Sequence, residues 1–509
     1  MGAMGIVRRS RARTRSWRLV PLLVAVLVAS CVPDGSPPPV LDPGPDGELR
    51  WLTAVRGKDA AVYDDAGRQV LLRGVNFNHL GDYFQAHPDL PTVASLDEDD
   101  WADAAAQGHN VVRLVTNWSA WEPQRGTLDP DYLARVRAAV AAANRHGMYV
   151  VIDMHQDAWS KHIATPPEEE CPPGTRPHIG WDGAPEWATF TDGWPTCTPG
   201  SREESPAVLA AWHAFYTNRA GIRDALAATW GRIAAEFAHE PGVAGFDLLN
   251  EPGLGFDLDI TLVGLAHYYR SAIAEIRAAE AAVGGRGHIV FFEPTVVGPF
   301  VETGFSDDAN LVFAPHNYGE SIGPQLPGLL DLLTGALQLL ARAYGTTTWI
   351  GEYGSFASDD AERAAYMSRF NRLDDANPGA GGTWWQWEQE CGDPHDVAGA
   401  YPPSDEWVAQ QRERCGDARM ATPCTARSYP RAAPGRLLSL RAAPCGGGTL
   451  TVRGRTPTPS TAELWIASDT DGRPVVTGTG VGDVLAERRP GGWRVAVRVE
   501  GDYLIDVQG

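Results

Sequence analysis

The chain has no apolar run long enough to cross a membrane as a helix: the longest, residues 19–29, is about eleven residues, where a hydrocarbon core needs roughly 20. It has no basic excess either. Its 43 Lys and Arg stand against 64 Asp and Glu, a net charge of -21, which leaves no extended basic face for phosphate backbones, so nucleic acid is not an expected partner. Cys and His do not fall at metal-site spacings, and neither a metal nor another cofactor is expected. Cysteine is scarce, at seven in 509 residues.

What the N-terminus does have is Arg8, Arg9, Arg11, Arg13, Arg15 and Arg18, then the short apolar run, then small residues before Cys31, the order of a secretory signal. The order Val28-Ala29-Ser30-Cys31 resembles a bacterial lipobox, in which the cysteine is lipidated and becomes the first mature residue. The plainer alternative is ordinary signal cleavage nearby. Setting Cys31 aside leaves six cysteines, an even number for an oxidising compartment. Local spacing suggests Cys171 with Cys197, Cys391 with Cys415, and Cys424 with Cys445, one of the 15 connectivities six cysteines allow. Residues 1–30 thus read as signal, 31–48, rich in Pro, Gly and Asp, as a tether, and the protein as exported, either lipid-anchored on the outer face of the cell membrane or secreted.

From residue 49 short apolar runs alternate with longer helical patterns, which predicts parallel βα units. Eight strands are expected, at 70–76, 110–115, 149–153, 243–250, 288–293, 310–314, 347–352 and 382–387, most of them near-continuously apolar as in strands covered on both faces. Helices are expected at 131–146, 207–238 and 261–282. An insertion at 158–206, rich in Pro, Gly and Trp, follows the third strand. After 429 short β-type runs are separated by Gly and Pro, without an obvious aromatic row. The expected architecture is a (β/α)8 TIM barrel over 49–428 with a C-terminal β-sandwich over 429–509.

Barrel enzymes work at the C-terminal ends of their strands. Here those ends carry Asn76 and His79, Arg113, His155 and Asp157, Asn250 and Glu251, Glu293, His316 and Tyr318, Glu352, and Trp387. Hydrolysis of an unactivated acetal needs one carboxylic acid to protonate the leaving oxygen and one carboxylate across the bond from it. Glu251 and Glu352, after the fourth and seventh strands, fit those two roles, which leaves Glu293 more suited to a structural one.

The strings Gly-Phe-Asp-Leu-Leu-Asn-Glu-Pro from Gly245 to Pro252 and Trp-Ile-Gly-Glu-Tyr-Gly from Trp349 to Gly354 resemble the acid/base and nucleophile strands of family 5 glycoside hydrolases of clan A. Val112-Arg113-Leu114, the stretch Asp153 to Asp157, Ala314 to Tyr318 and Trp384 to Trp387 match as well, so the resemblance covers nearly all of 70–390. It implies a retaining mechanism with Glu251 as general acid/base and Glu352 as nucleophile. It further implies Asn250 at the sugar 2-hydroxyl, Arg113 and Tyr318 holding Glu352 ionised, and His155, Asp157 and His316 as sugar or supporting contacts. Asn76 and His79 would join the substrate site, and Trp387 would serve as an aromatic floor. The Asp-Met-His-Gln-Asp form at 153–157, the insertion after it and the C-terminal module resemble bacterial endoglycoceramidases, which implies a glycosphingolipid substrate; a monomer, held to the membrane through its N-terminal lipid anchor, is expected.

Two alternatives stay open, an endo-β-1,4-glucanase on soluble polysaccharide and a non-catalytic carbohydrate-binding lipoprotein. The loop 79–91 is expected to select the sugar. Leu326, Leu329, Leu330, Leu333, Leu337 and Leu340 share a helical stripe from which Leu332 and Leu339 depart. A helix apolar on more than one side is either buried or offered to lipid, so the exposure of those leucines separates glycolipid from polysaccharide.

Overall fold

The computed structural model describes residues 49–509 apart from 297, 299–301, 303, 323–325 and 417–422. The proposed signal, tether and lipidation site at Cys31 lie outside the described residues. Three short strands come first, β1 (Leu52–Val55), β2 (Ala61–Asp64) and β3 (Arg68–Val70). Eight parallel strands follow: β4 (Leu72–Phe77), β5 (Val111–Asn117), β6 (Tyr149–His155), β7 (Val243–Asp247), β8 (Ile289–Phe292), β9 (Leu311–Phe313), β10 (Trp349–Tyr353) and β11 (Gly381–Trp384). They pair in chain order, β11 returns to β4, and a parallel bridge from Phe313 to Thr348 joins β9 to β10, which closes the barrel.

Alternation along the strands builds two cores. Val111, Tyr149, Val151, Ile289, Phe291 and Trp349 fill the lumen. Val112, Leu114, Val150, Ile152, Phe246 and Val290 pack outward against the helices. Where the inward-facing row reaches the C-terminal end it turns polar, with Arg113 on β5 and Asp153 and His155 on β6, all buried. The same pleat thus supplies a packed floor and a charged roof.

The expected helix at 207–238 is two helices, Pro206–Tyr216 and Ile222–Phe237, because Asn218, Ala220 and Gly221 take left-handed backbone between them. Among the described residues no helix is long and apolar enough to cross a membrane.

The second sheet consists of β12 (Tyr429–Pro434), β13 (Arg436–Ala442), β14 (Leu450–Ala467), β15 (Val475–Arg489) and β16 (Gly492–Gln508), joined by β1 to β3. The boundary therefore differs from the expected one. Val70 does not begin a barrel strand: it pairs with Ala432, and the chain enters the barrel only at Leu72. The register of β14 against β16 shifts between Thr456 and Ser460, and one apolar cluster draws on Leu450 and Val452 before the shift and Leu464 and Ile466 after it. The antiparallel sheet expected after the barrel is thus one continuous sheet, interrupted by bulges, that encloses a single core. The disulfides are Cys171–Cys197, Cys391–Cys415 and Cys424–Cys445, the pairing that local spacing suggested.

Candidate active site

Arg113 is the centre of the roof. Its Nε donates to Asp247 Oδ2 at 2.9 Å, Nη1 to Glu352 Oε1 at 2.8 Å and Asn76 Oδ1 at 3.1 Å, and Nη2 to Asn250 Oδ1 and Glu293 Oε1 at 3.0 Å. Asp153 Oδ1 lies 2.9 Å from Nη2. One fully buried guanidinium thus links five strands through its planar fork of donors. Burial disfavours its charge, but Asp153, Asp247, Glu352 and Glu293 outweigh that and hold it cationic. Asp247 carries the cost: burial and Glu293 push its carboxyl well above the ordinary range, against the pull of Arg113.

Glu352, on β10, has both oxygens engaged, Oε1 by Arg113 and Oε2 by the Tyr318 hydroxyl at 2.8 Å. Glu251 is held differently. Its backbone has a φ of 37°, strained for a residue with a Cβ, and three contacts fix it there. Gln156 Nε2 donates to the carbonyls of Asn250 at 2.7 Å and Glu251 at 2.9 Å, and the Glu251 N–H donates to Glu293 Oε2 at 2.8 Å. The Glu251 side chain is 18% exposed against 6% for Glu352. The freer carboxyl is the one after β7.

His316 bridges the pair, with Nδ1 2.9 Å from Glu251 Oε1 and 3.4 Å from Glu352 Oε2, and Nε2 3.3 Å from Glu293 Oε1. Burial lowers its pKa, but Glu293 and Glu352 raise it well above the usual histidine range. One oxygen from each of Glu251 and Glu352 lies within 4.8 Å of the other. That is close to the carboxyl spacing of about 5 to 5.5 Å used in double displacement, and short of the roughly 6.5 to 9.5 Å that admits a water.

Arg113 favours the ionised form of Glu352, but it does not act on that carboxyl alone. Burial raises the Glu352 carboxyl, and Glu251 adds to the rise against His316 and Arg113. Burial also penalises the Glu251 charge, but His316 and Arg202 overcome it and lower that carboxyl. Glu251, His316 and Glu352 are thus linked in their titration through the imidazole that lies between them.

The other predicted residues separate into two groups. Asn250, through Arg113 and Gln156, and His316 and Tyr318 meet at the glutamates. His155 binds Asp153 at 2.7 Å and lies flat against Trp385, and Asp157 lies 2.5 Å from Arg202 and 3.4 Å from His395. Asn76 is a brace, donating to the carbonyls of Gly351 and Trp384. His79 binds Glu388 and packs on Phe77.

Trp387 is a correction. β11 ends at Trp384, so Trp387 has turned under the roof, where it is 1% exposed, stacks on Phe77 and donates to Asp100. The indole beside the polar site is Trp385, between His155 and His395. Trp385 and Gln156 were findable, one directly following its strand and the other inside the 153–157 motif. Arg202 gave no signal: it reaches Glu251 from the insertion, across 49 residues of chain.

A family model described as Cellulase (glycosyl hydrolase family 5) matches residues 63–390. Endoglycoceramidase I of Rhodococcus hoagii (strain 103S) is 31% identical over 289 residues, 52% of this chain and 53% of that protein. Endoglycoceramidase of Hydra vulgaris is 27% identical over 297 residues, 51% of this chain and 53% of that one. The chain spans about half the length of these curated relatives. A crystal structure of endogalactoceramidase superposes with a TM-score of 0.78 at 40% identity, covering 90% of this chain and 100% of that one. Endo-glycoceramidase II from Rhodococcus sp., in its ganglioside GM3 complex, shares the fold with a TM-score of 0.64 at 22% identity, over 88% of this chain and 99% of that one.

Proposed function

The chain belongs to glycosyl hydrolase family 5, and from that premise we propose that it is a retaining endoglycosidase that cleaves the β-glycosidic bond between oligosaccharide and ceramide in glycosphingolipids. The observation that carries the glycolipid reading is exposed apolar surface, some of it on the segments that follow Glu251 and Glu352. Leu332 and Leu339 on the helix Leu329–Tyr344 are 67% and 64% exposed, the outcome that separates a lipid substrate from a polysaccharide. Ile322, Leu326 and Phe356 are exposed too, and Phe356 packs 5.7 Å from the Tyr318 ring. Just past Glu251, Phe256 and Leu258 are exposed, with Trp194 of the insertion 5.1 Å from Phe256. The names of the similar proteins support the same reading.

In this mechanism Glu352 attacks the anomeric carbon while Glu251 gives its proton to the glycosidic oxygen, and ceramide leaves as the alcohol. Glu251, now a carboxylate, takes a proton from water as the water cleaves the glycosyl ester and frees Glu352. The close spacing of the carboxyls supports retention. The reading extends to the cell: an exported monomer held by a lipid on Cys31 at the outer membrane face, supported by the leader and the even count of the other cysteines. A Cys31→Ser variant is then expected in the soluble fraction.

The test is to incubate the purified protein, beside Glu352→Gln and Glu251→Gln, with a glycosphingolipid and with soluble cellulose, and to weigh the products. Intact oligosaccharide plus ceramide, absent with Glu352→Gln, is the expected result. Cleavage of cellulose alone makes the protein a glucanase, and cleavage of neither makes it a binding protein.

A further inference from the structure

Arg202 stands in a short turn, Arg202–Glu204, that closes the insertion just before the helix Pro206–Tyr216. Its Nη2 lies 3.4 Å from Glu251 Oε2 and 2.5 Å from Asp157 Oδ1, its Nε lies 3.0 Å from Glu203 Oε1, and its guanidinium covers the Trp181 ring at 4.4 Å. Its own carbonyl is 3.1 Å from His178 Nε2, while Cys171–Cys197 and the hydrogen bonds between Arg176 and Thr198 fix the loop beneath it. The side chain is thus a cation held in one place by a segment outside the barrel.

We propose that Arg202 is a positioning residue that sets the acid strength of Glu251, so that the insertion completes the acid/base group when it seats on the barrel. The inference rests on the reading of Glu251 as acid/base. When Glu251 hands its proton to the leaving oxygen it becomes a carboxylate, and a guanidinium 3.4 Å away stabilises that charge. Departure of a poor leaving group such as a lipid alcohol becomes easier. In the second half of the cycle the same cation works against Glu251 as it takes a proton from water. Arg202 therefore favours the first step at some cost to the second, which suits a substrate whose aglycone must be protonated to leave.

The other groups around Glu251 are His316 at 2.9 Å, Glu352 beyond His316, Glu293 at its backbone N–H, Tyr318, and Asp157 and Glu203 behind Arg202. His316 touches all three glutamates, so its loss disturbs nucleophile and acid together. Arg202 touches only Glu251 among them. Its removal is therefore read on the limb of the pH profile that reports the proton on Glu251.

The experiment measures kcat/KM against pH for the full chain, Arg202→Met, Arg202→Lys and Glu251→Ala, on a glycosphingolipid and on a nitrophenyl β-glycoside whose phenol leaves without a proton. With Arg202→Met the alkaline limb on the glycolipid moves up by about one pH unit and kcat/KM below the limb falls, while the nitrophenyl glycoside is cleaved nearly as before. Arg202→Lys restores most of both. A fall that is uniform across pH and equal on both substrates, with the limb unmoved, overturns the proposal. Retention of the full alkaline limb by Glu251→Ala would instead overturn the acid/base reading beneath it, so the two failures are distinct.

Discussion

Tyr318 donates its hydroxyl to Glu352 Oε2, a bond that only the ionised form of that carboxyl uses fully. Removing it with Tyr318→Phe leaves burial, which already raises Glu352, less opposed. The nucleophile must be ionised, so the acid limb of kcat/KM moves to higher pH, by about one unit; an unmoved limb would show that the bond does not serve the nucleophile. Gly351 precedes Glu352, and a Cβ there would come 3.0 Å from His316 Nε2, so Gly351→Ala should displace the imidazole between the glutamates and cut kcat with little change in Tm. The two tryptophans separate a site residue from a packing one. Trp385→Ala is expected to raise KM and to lower kcat/KM by roughly tenfold, the loss of one stacked aromatic contact. Trp387→Ala should instead cost about 3 to 5 kcal/mol of stability, because its ring fills the space beside Phe77. Thermal denaturation and steady-state kinetics on the pair distinguish these outcomes.

At the scale of elements, the parallel strands were readable because each is an apolar run with a polar residue at its C-terminal end. The strand at Val111–Asn117 shows why: Arg113 interrupts the apolar run at the depth where the lumen core stops. What stayed hidden depends on contacts distant in sequence. The pairing of Val70 with Ala432 spans 362 residues and leaves no local pattern, which is why 49–70 read as barrel. The split at Asn218 to Gly221 was missed because the apolar periodicity runs on both sides of it. The insertion had composition but no periodicity, so its disulfide could be suggested while its delivery of Arg202 could not. Serine at both Cys171 and Cys197 removes a loop closure worth about 3.5 kcal/mol in the chain-entropy model. It should lower activity on glycolipid while leaving the barrel's far-UV dichroism intact. The leucine-rich helix makes a complementary prediction. Leu332→Ser with Leu339→Ser should weaken turnover of micellar glycosphingolipid and spare a soluble nitrophenyl glycoside; equal losses on both would mean that the exposed leucines do not meet lipid.

At the scale of the whole molecule, buried charge ties the two sheets together and sets how stability varies with pH. Arg73 on β4 and Arg427 before β12 both bind Asp374 and Asp375, and Asp375 also accepts from the Ala442 N–H of β13. Burial raises the Asp375 carboxyl, but the two arginines outweigh it and lower it below its ordinary 3.8, so its contribution is present above that value and lost as pH falls through the folded one. Other groups act in the opposite direction. Burial raises Glu203 to about 7 and Asp182 to about 7, so the stability tied to their protonated forms is whole only below their ordinary values of 4.5 and 3.8 and is lost by about 7. His395 follows at higher pH: burial disfavours its charge, but Asp393 and Asp157 raise it from 6.5 to about 10, so its contribution is complete below 6.5 and fades up to about 10. Buried His109 and His178 run against the carboxyls: burial lowers them from 6.5 to about 3 and about 4, so their contribution is whole above 6.5 and lost as pH falls, and below neutrality the two kinds of group oppose one another. Between about pH 6.5 and 10 the Tm should fall as His395 loses its proton, and calorimetry on His395→Gln should show a shallower fall over that range. An alkaline slope that His395→Gln leaves unchanged would mean that the charge balance around Asp157 is not the one described.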